Sequence, residues 1–128
     1  MPVIPPGLTA TIDGTSWIAR TYYATVDSTY PSDLLLTVYG ADSVTGTEIN
    51  LSVGFFKYNA STYSITYPGQ YLYSSTSAGC SYNGDSSAAY AGTIIIYQVS
   101  ADSIKGAFGF TAGDITVTYG QFDMPIAH

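Results

Sequence analysis

The chain has 128 residues, enough for one ordinary domain with a sizeable core. Hydrophobic residues make up 46% and charged residues only 9%, with one Glu, two Lys and one Arg, which excludes a disordered chain and argues against helices, whose surfaces are built from those residues. The net charge is −6, and the three cations, Arg20, Lys57 and Lys105, are too few and too scattered to grip nucleic-acid phosphates or an anionic membrane.

Two-residue alternation of apolar and polar side chains, the mark of a half-buried strand, recurs along the chain. Leu8, Ala10 and Ile12 alternate with Thr9 and Thr11, and Asp13-Gly14 then turns. Ser16 to Val26 reads as one longer strand with Trp17, Ala19, Thr21 and Tyr23 on one side. Residues 27–33, with Pro31, read as a loop. Leu34, Leu36 and Val38 share a face, and a turn over 40–46 leads to Ile49, Leu51, Val53 and Phe55, all expected inside. From Lys57 to Ser87 the pattern changes to tyrosines among Ser, Thr and Gly. Short strands are predicted near 63–66 and 70–73, followed by a long surface excursion.

The last third is regular again. Ala89 to Val99 carries Ile94, Ile95 and Ile96, apolar on both faces, and is expected to be central. Ile104, Phe108 and Phe110 then alternate with Lys105, Ala107 and Thr111. Ile115, Val117 and Tyr119 keep odd parity, whereas Phe122, Met124 and Ile126 are even, so a β-bulge is predicted at Gly120-Gln121. The expected fold is all-β, an antiparallel β-sandwich or flattened barrel of about eight or nine strands. An extended arm over 1–7 precedes a single β domain over 8–126, with a short tail at 127–128. No internal repeat is evident, and no apolar run is long enough to span a bilayer.

Several segments have a familiar form. Thr9-Ala10-Thr11-Ile12-Asp13-Gly14-Thr15-Ser16-Trp17 resembles the A-x-I-D-G-x-x-W opening of a family of uncharacterised Bacteroidota lipoproteins. Ser61-Thr62-Tyr63-Ser64-Ile65 resembles its G-T-Y-x-L segment, with Ser61 in place of Gly. Gly92-Thr93-Ile94-Ile95-Ile96 and Ile104 to Ala112 resemble its G-x-F-x-F hairpin, and Val117 to Phe122 its closing V-x-x-G-x-F. The resemblance implies an all-β domain outside the cytoplasm, often lipid-anchored, and no particular activity. The family's lipobox cysteine has no counterpart ahead of the domain, which keeps a virion-surface relative open.

Catalytic chemistry finds little to work with. The single histidine is His128, at the frayed end of the chain. The single cysteine, Cys80, has no His or cation near it in sequence and reads as a small buried thiol. Most carboxylates fall at turns, where Asp is favoured for backbone hydrogen bonds, and nothing pairs two of them across a scissile bond. Asp27-Ser28-Thr29, Asp42-Ser43-Val44 and Asp102-Ser103-Ile104 resemble short O-glycosylation acceptors, but turn chemistry accounts for them. No catalytic residue, metal site or cofactor is expected. The feature above background is the tyrosine tract Tyr58, Tyr63, Tyr67, Tyr71, Tyr73 and Tyr82. Rigid amphipathic rings among small hydroxyl residues compose binding surfaces, and equally suit packing on edge strands. Trp17, opening an alternating strand, is expected to anchor the core. The function expected is a non-catalytic extracellular or surface-exposed module that binds a glycan or a protein partner. The alternative is a structural virion or appendage subunit capable of self-assembly.

Overall fold

Eleven strands hold about 75% of the described residues of the computed structural model, which are 7–29, 34–65, 76–82 and 85–127. They are β1 (Gly7–Ile12), β2 (Thr15–Ile18), β3 (Thr21–Asp27), β4 (Leu35–Asp42), β5 (Thr47–Val53) and β6 (Ser61–Ser64). Then follow β7 (Thr76–Tyr82), β8 (Asp85–Ala88), β9 (Ala91–Val99), β10 (Ser103–Ala112) and β11 (Ile115–Ala127). No helix forms among the described residues, as the shortage of helix-favouring side chains requires.

One sheet runs β6-β9-β10-β11-β3-β4-β5-β7-β8, with the β1–β2 hairpin attached to β11. It curls into a half-barrel around one core. The pairing is mixed rather than purely antiparallel, because Ile126 and Ala127 of β11 run parallel to Ala24 and Thr25 of β3. Leu8, Ile12, Leu36, Val38, Ile49, Leu51, Ile94, Ile96, Ile104, Phe122 and Met124 are fully buried in the concavity.

The alternation reading holds for β1, β4, β5, β10 and β11 and needs correction elsewhere. The expected strand over Ser16–Val26 breaks at Ala19-Arg20. There the chain leaves β1 and joins β4, so the inward parity changes: Trp17 and Ala19 are buried, but Tyr23 is exposed and Ala24 is buried. Phe55 is exposed with φ 52°, and Phe56 takes the inward place, its N–H donating to Leu34 C=O at 2.9 Å. The expected surface excursion contains a regular hairpin, β7–β8, whose inward side chains Thr76, Ala78 and Cys80 are too small and polar to signal a strand. The bulge falls at Tyr119-Gly120: Phe110 faces Val117, whereas Phe108 faces Gly120. Tyr119 is thereby turned out of the core, 84% exposed.

The chain also repeats itself. The bend from β2 into β3 is closed by Ala19 N–H to Leu8 C=O (2.9 Å) and Arg20 N–H to Ala41 C=O (2.8 Å). The bend from β8 into β9 is closed by Ala89 N–H to Ala78 C=O (2.8 Å) and Tyr90 N–H to Thr111 C=O (3.0 Å). The two sets differ by a constant 70 residues: 8 and 78, 19 and 89, 20 and 90, 41 and 111. Strand registers obey the same offset. Thr9 faces Ile18 as Gly79 faces Ala88, and Thr21 faces Ala41 as Ala91 faces Thr111. The unit β1–β5 therefore recurs as β7–β11, and each unit pairs with the other: β5 with β7 and β11 with β1. Residue matching hides this because equivalent positions carry unlike side chains, Trp17 against Ser87 and Asp42 against Ala112.

Candidate functional site

The broken symmetry locates a cleft. β2 and the turn between β4 and β5 of the first unit, with the end of β7 from the second, border a space of about 560 Å³. Its apolar wall is Trp17, Ile18 and Tyr82. Trp17 is 7% exposed, because its strand places it inward and Ala10 lies opposite. Ile18, its neighbour on a two-residue period, points out and is 69% exposed. Tyr82 is half-buried and packs against the core.

The polar wall is an ion pair. Arg20 Nε donates to Asp42 Oδ1 at 2.9 Å, with the arginine side chain 63% and the aspartate side chain 11% exposed. The bend at Ala19-Arg20 puts Arg20 beside β4, where its backbone N–H is already bonded to Ala41. Burial disfavours the charged Asp42 carboxylate. The Val44 N–H at 3.0 Å, the Arg20 charge and hydrogen bond, and the Thr45 hydroxyl outweigh it and hold the carboxyl below its ordinary value. Thr45 and Thr47, 3.0 Å apart through their hydroxyls, complete the rim. The equivalent place in the second unit has Ser87, Tyr90 and Ala112. Ser87 lies close under Gly113 there, 2.9 Å from where a Cβ would stand.

Among the described residues, the Trp17 Nε1–H is a buried donor without a hydrogen-bond partner. Such a group costs roughly 1–3 kcal/mol relative to a satisfied one.

Of the sequence-predicted tyrosines, Tyr58, Tyr63 and Tyr82 lie among the described residues. Tyr58 is exposed and meets Phe56 edge-on at 5.1 Å. Tyr63, on β6, packs on the core, and its hydroxyl accepts the Lys57 N–H at 3.3 Å. Of these three, Tyr82 lines the cleft. Tyr67, Tyr71 and Tyr73 lie outside the described residues, as does His128. Trp17 is the core anchor expected of it and lines the cleft as well. Sequence reasoning missed Arg20 and Asp42, which stand 22 residues apart. It also missed the exposed outer faces, where Tyr23 and Tyr39 stack at 5.1 Å. The Tyr39 hydroxyl donates to Glu48 at 2.8 Å, and this bond, with burial and the Glu48 charge, raises its pKa.

Reactive groups are muted. Burial, aided by the negative charge of Asp13, pushes the Cys80 thiol up to about 11, so it is protonated at neutral pH. No group of three or more His, Cys, Asp and Glu side chains converges among the described residues. The three acceptor-like Asp-Ser/Thr segments include two local turns, in which Asp27 accepts Thr29 N–H at 2.8 Å and Asp42 accepts Val44 N–H. No described helix is long and apolar enough to cross a membrane. Comparison with protein-family models, with curated proteins and with solved structures finds no match to this chain.

Proposed function

We propose that the chain is a non-catalytic binding module and that the Trp17–Arg20–Asp42–Tyr82 cleft takes an uncharged, hydroxyl-rich ligand, a glycan. The observation that carries this reading is an aromatic wall facing a self-neutralised ion pair. Rings offer apolar faces to the C–H side of a sugar. The guanidinium is mostly exposed and donates only its Nε to Asp42, so its outer N–H groups are positioned for ligand hydroxyls. Thr45, Thr47 and Tyr82 add hydroxyls that both donate and accept. Because Arg20 and Asp42 cancel, the cleft offers no net attraction to a charged polymer, which separates it from a phosphate or acidic-peptide site. The resemblance to surface lipoproteins and the charge-poor composition support a place outside the cytoplasm.

The test is a glycan array followed by calorimetry on the hits. Arg20→Ala and Tyr82→Ala are each expected to weaken binding about tenfold or more. Arg20→Ala should change Tm by only a few degrees, since its guanidinium is largely solvated and such a pair contributes about 1 kcal/mol, whereas Tyr82→Ala also removes packing against the core and should lower Tm further. An empty array combined with concentration-dependent self-association would favour the structural-subunit alternative and end this reading.

A further inference from the structure

A second surface combines a groove with a strained residue. On the outer face of β9–β10–β11 lies a space of about 450 Å³. Its floor is Ala107 and Gly109 of β10. One wall is Ile95 and Tyr97 of β9, and the other is Tyr119 and Gln121 of β11. It shares no residue and no strand with the cleft.

Tyr119 is the extra residue of the bulge, skipped both where β11 pairs with β10 and where it pairs with β1. Its φ is 52°, the left-handed region. In bulges of this kind that position belongs to glycine, which alone enters it without steric cost. A tyrosine here is held against its backbone preference, and its ring, 84% exposed, gains little from packing. Strain retained at an exposed aromatic residue on the lip of a groove points to use rather than to folding.

The groove narrows the choice of occupant. It has no charged lining residue, so it does not select nucleic acid or an acidic polymer. It lies on a sheet face rather than an edge, so strand addition has no backbone groups to meet. Its walls stand two strand spacings apart, roughly 10 Å, too tight for a helix 10–12 Å across but sufficient for a flat ring. Two tyrosines, an amide and an apolar floor suit a neutral pyranose gripped edge-on. We infer that this groove is a second site for a neutral glycan, with Tyr119 as its clamp, so that one chain can engage two points of a polysaccharide and gain from avidity. The ligand class is shared with the cleft reading, but the groove does not depend on it.

The experiment uses neutral tetrasaccharides of glucose, mannose, galactose and N-acetylglucosamine, titrated into the full chain and into an Arg20→Ala/Tyr82→Ala background. Residual binding in that background is expected, and adding Tyr119→Gly should reduce it at least tenfold while leaving Tm unchanged or raised by up to about 4 °C. Tyr119→Phe and Tyr97→Ala separate ring from hydroxyl: Phe should retain most of the affinity, and Tyr97→Ala should lose it. Binding abolished by the cleft variants alone, binding indifferent to Tyr119→Gly, or no binding to any of the four probes would overturn the inference. So would a fall in Tm on Tyr119→Gly, which would make the ring structural. Binding that survives the cleft variants undiminished and vanishes with Tyr119→Gly would sink the cleft reading and keep this one.

Discussion

Cys80 and Asp42 show how burial decides the fate of a reactive group. Cys80 is 4% exposed, and its thiol is raised to about 11. It should therefore resist a disulfide-exchange reagent at pH 8 in the folded protein and react at once in denaturant; stoichiometric labelling of the native chain would contradict its placement. Asp42 is displaced the other way. A carboxyl whose folded pKa lies below its unfolded value, near 3.9, stabilises the fold fully above that value, and the contribution is lost as pH falls through the folded pKa. Melting curves between pH 6 and 2 should show Tm falling below about pH 4. In Arg20→Ala the Asp42 carboxyl loses one of the groups that lower it, so the fall attributable to Asp42 should be smaller and should end at higher pH. In Asp42→Asn that component should be absent.

At the scale of the element, two glycines of β10, Gly106 and Gly109, carry opposite demands. A Cβ on Gly106 would stand 2.3 Å from Ile95 C=O and 2.4 Å from the Phe122 ring, so neither backbone nor core can yield cheaply. Gly106→Ala is expected to destabilise the chain by about 3 kcal/mol, measured by urea unfolding. A Cβ on Gly109 would meet only Val117 C=O, at 3.4 Å. Gly109→Ala should cost less than about 1 kcal/mol, and because it fills the groove floor it should still impair glycan binding there. The bulge in β11 has a like dependence on Gly120, whose Cβ would strike the Phe108 ring at 2.4 Å. Small residues on this leaf thus serve two ends: the inward ones let Phe108 and Phe122 stack at 6.2 Å, and the outward ones hollow the surface.

The whole molecule is two copies of a five-strand unit that complete each other. Because β5 pairs with β7 and β11 pairs with β1, neither unit closes its sheet alone, and each leaves an unpaired edge and an uncovered apolar face. Cutting the chain in the exposed stretch between Lys57 and Ala60 should give two fragments that are unfolded separately and recover the native circular dichroism spectrum when mixed. An isolated fragment with a cooperative melt would argue against this interdependence. The pseudo-symmetry also explains why the cleft occurs once. The backbone offers the place twice, and only the first unit furnishes it with an indole, a guanidinium and a carboxylate.

Much of this was legible in the one-dimensional pattern. Alternation found the inward faces of β1, β4, β5, β10 and β11, because a side chain's face in a strand depends on its parity along the chain. The scarcity of Glu, Lys and Arg settled the all-β class, and the parity slip near Gly120 located the bulge. What alternation could not supply was anything set by a distant partner. The break at Ala19-Arg20 depends on Leu8 and Ala41, and β7 is a strand through its partners rather than its own weak apolar signal. The Arg20–Asp42 pair joins positions remote in sequence, and Tyr82 meets the same cleft through the pairing of β5 with β7, which no local spacing encodes. Local composition and periodicity thus determined strand class and inward faces, since these are properties of neighbouring residues. The tertiary structure alone decided the mixed half-barrel, the duplicated unit and both grooves, since each arises from hydrogen bonds and contacts between segments tens of residues apart.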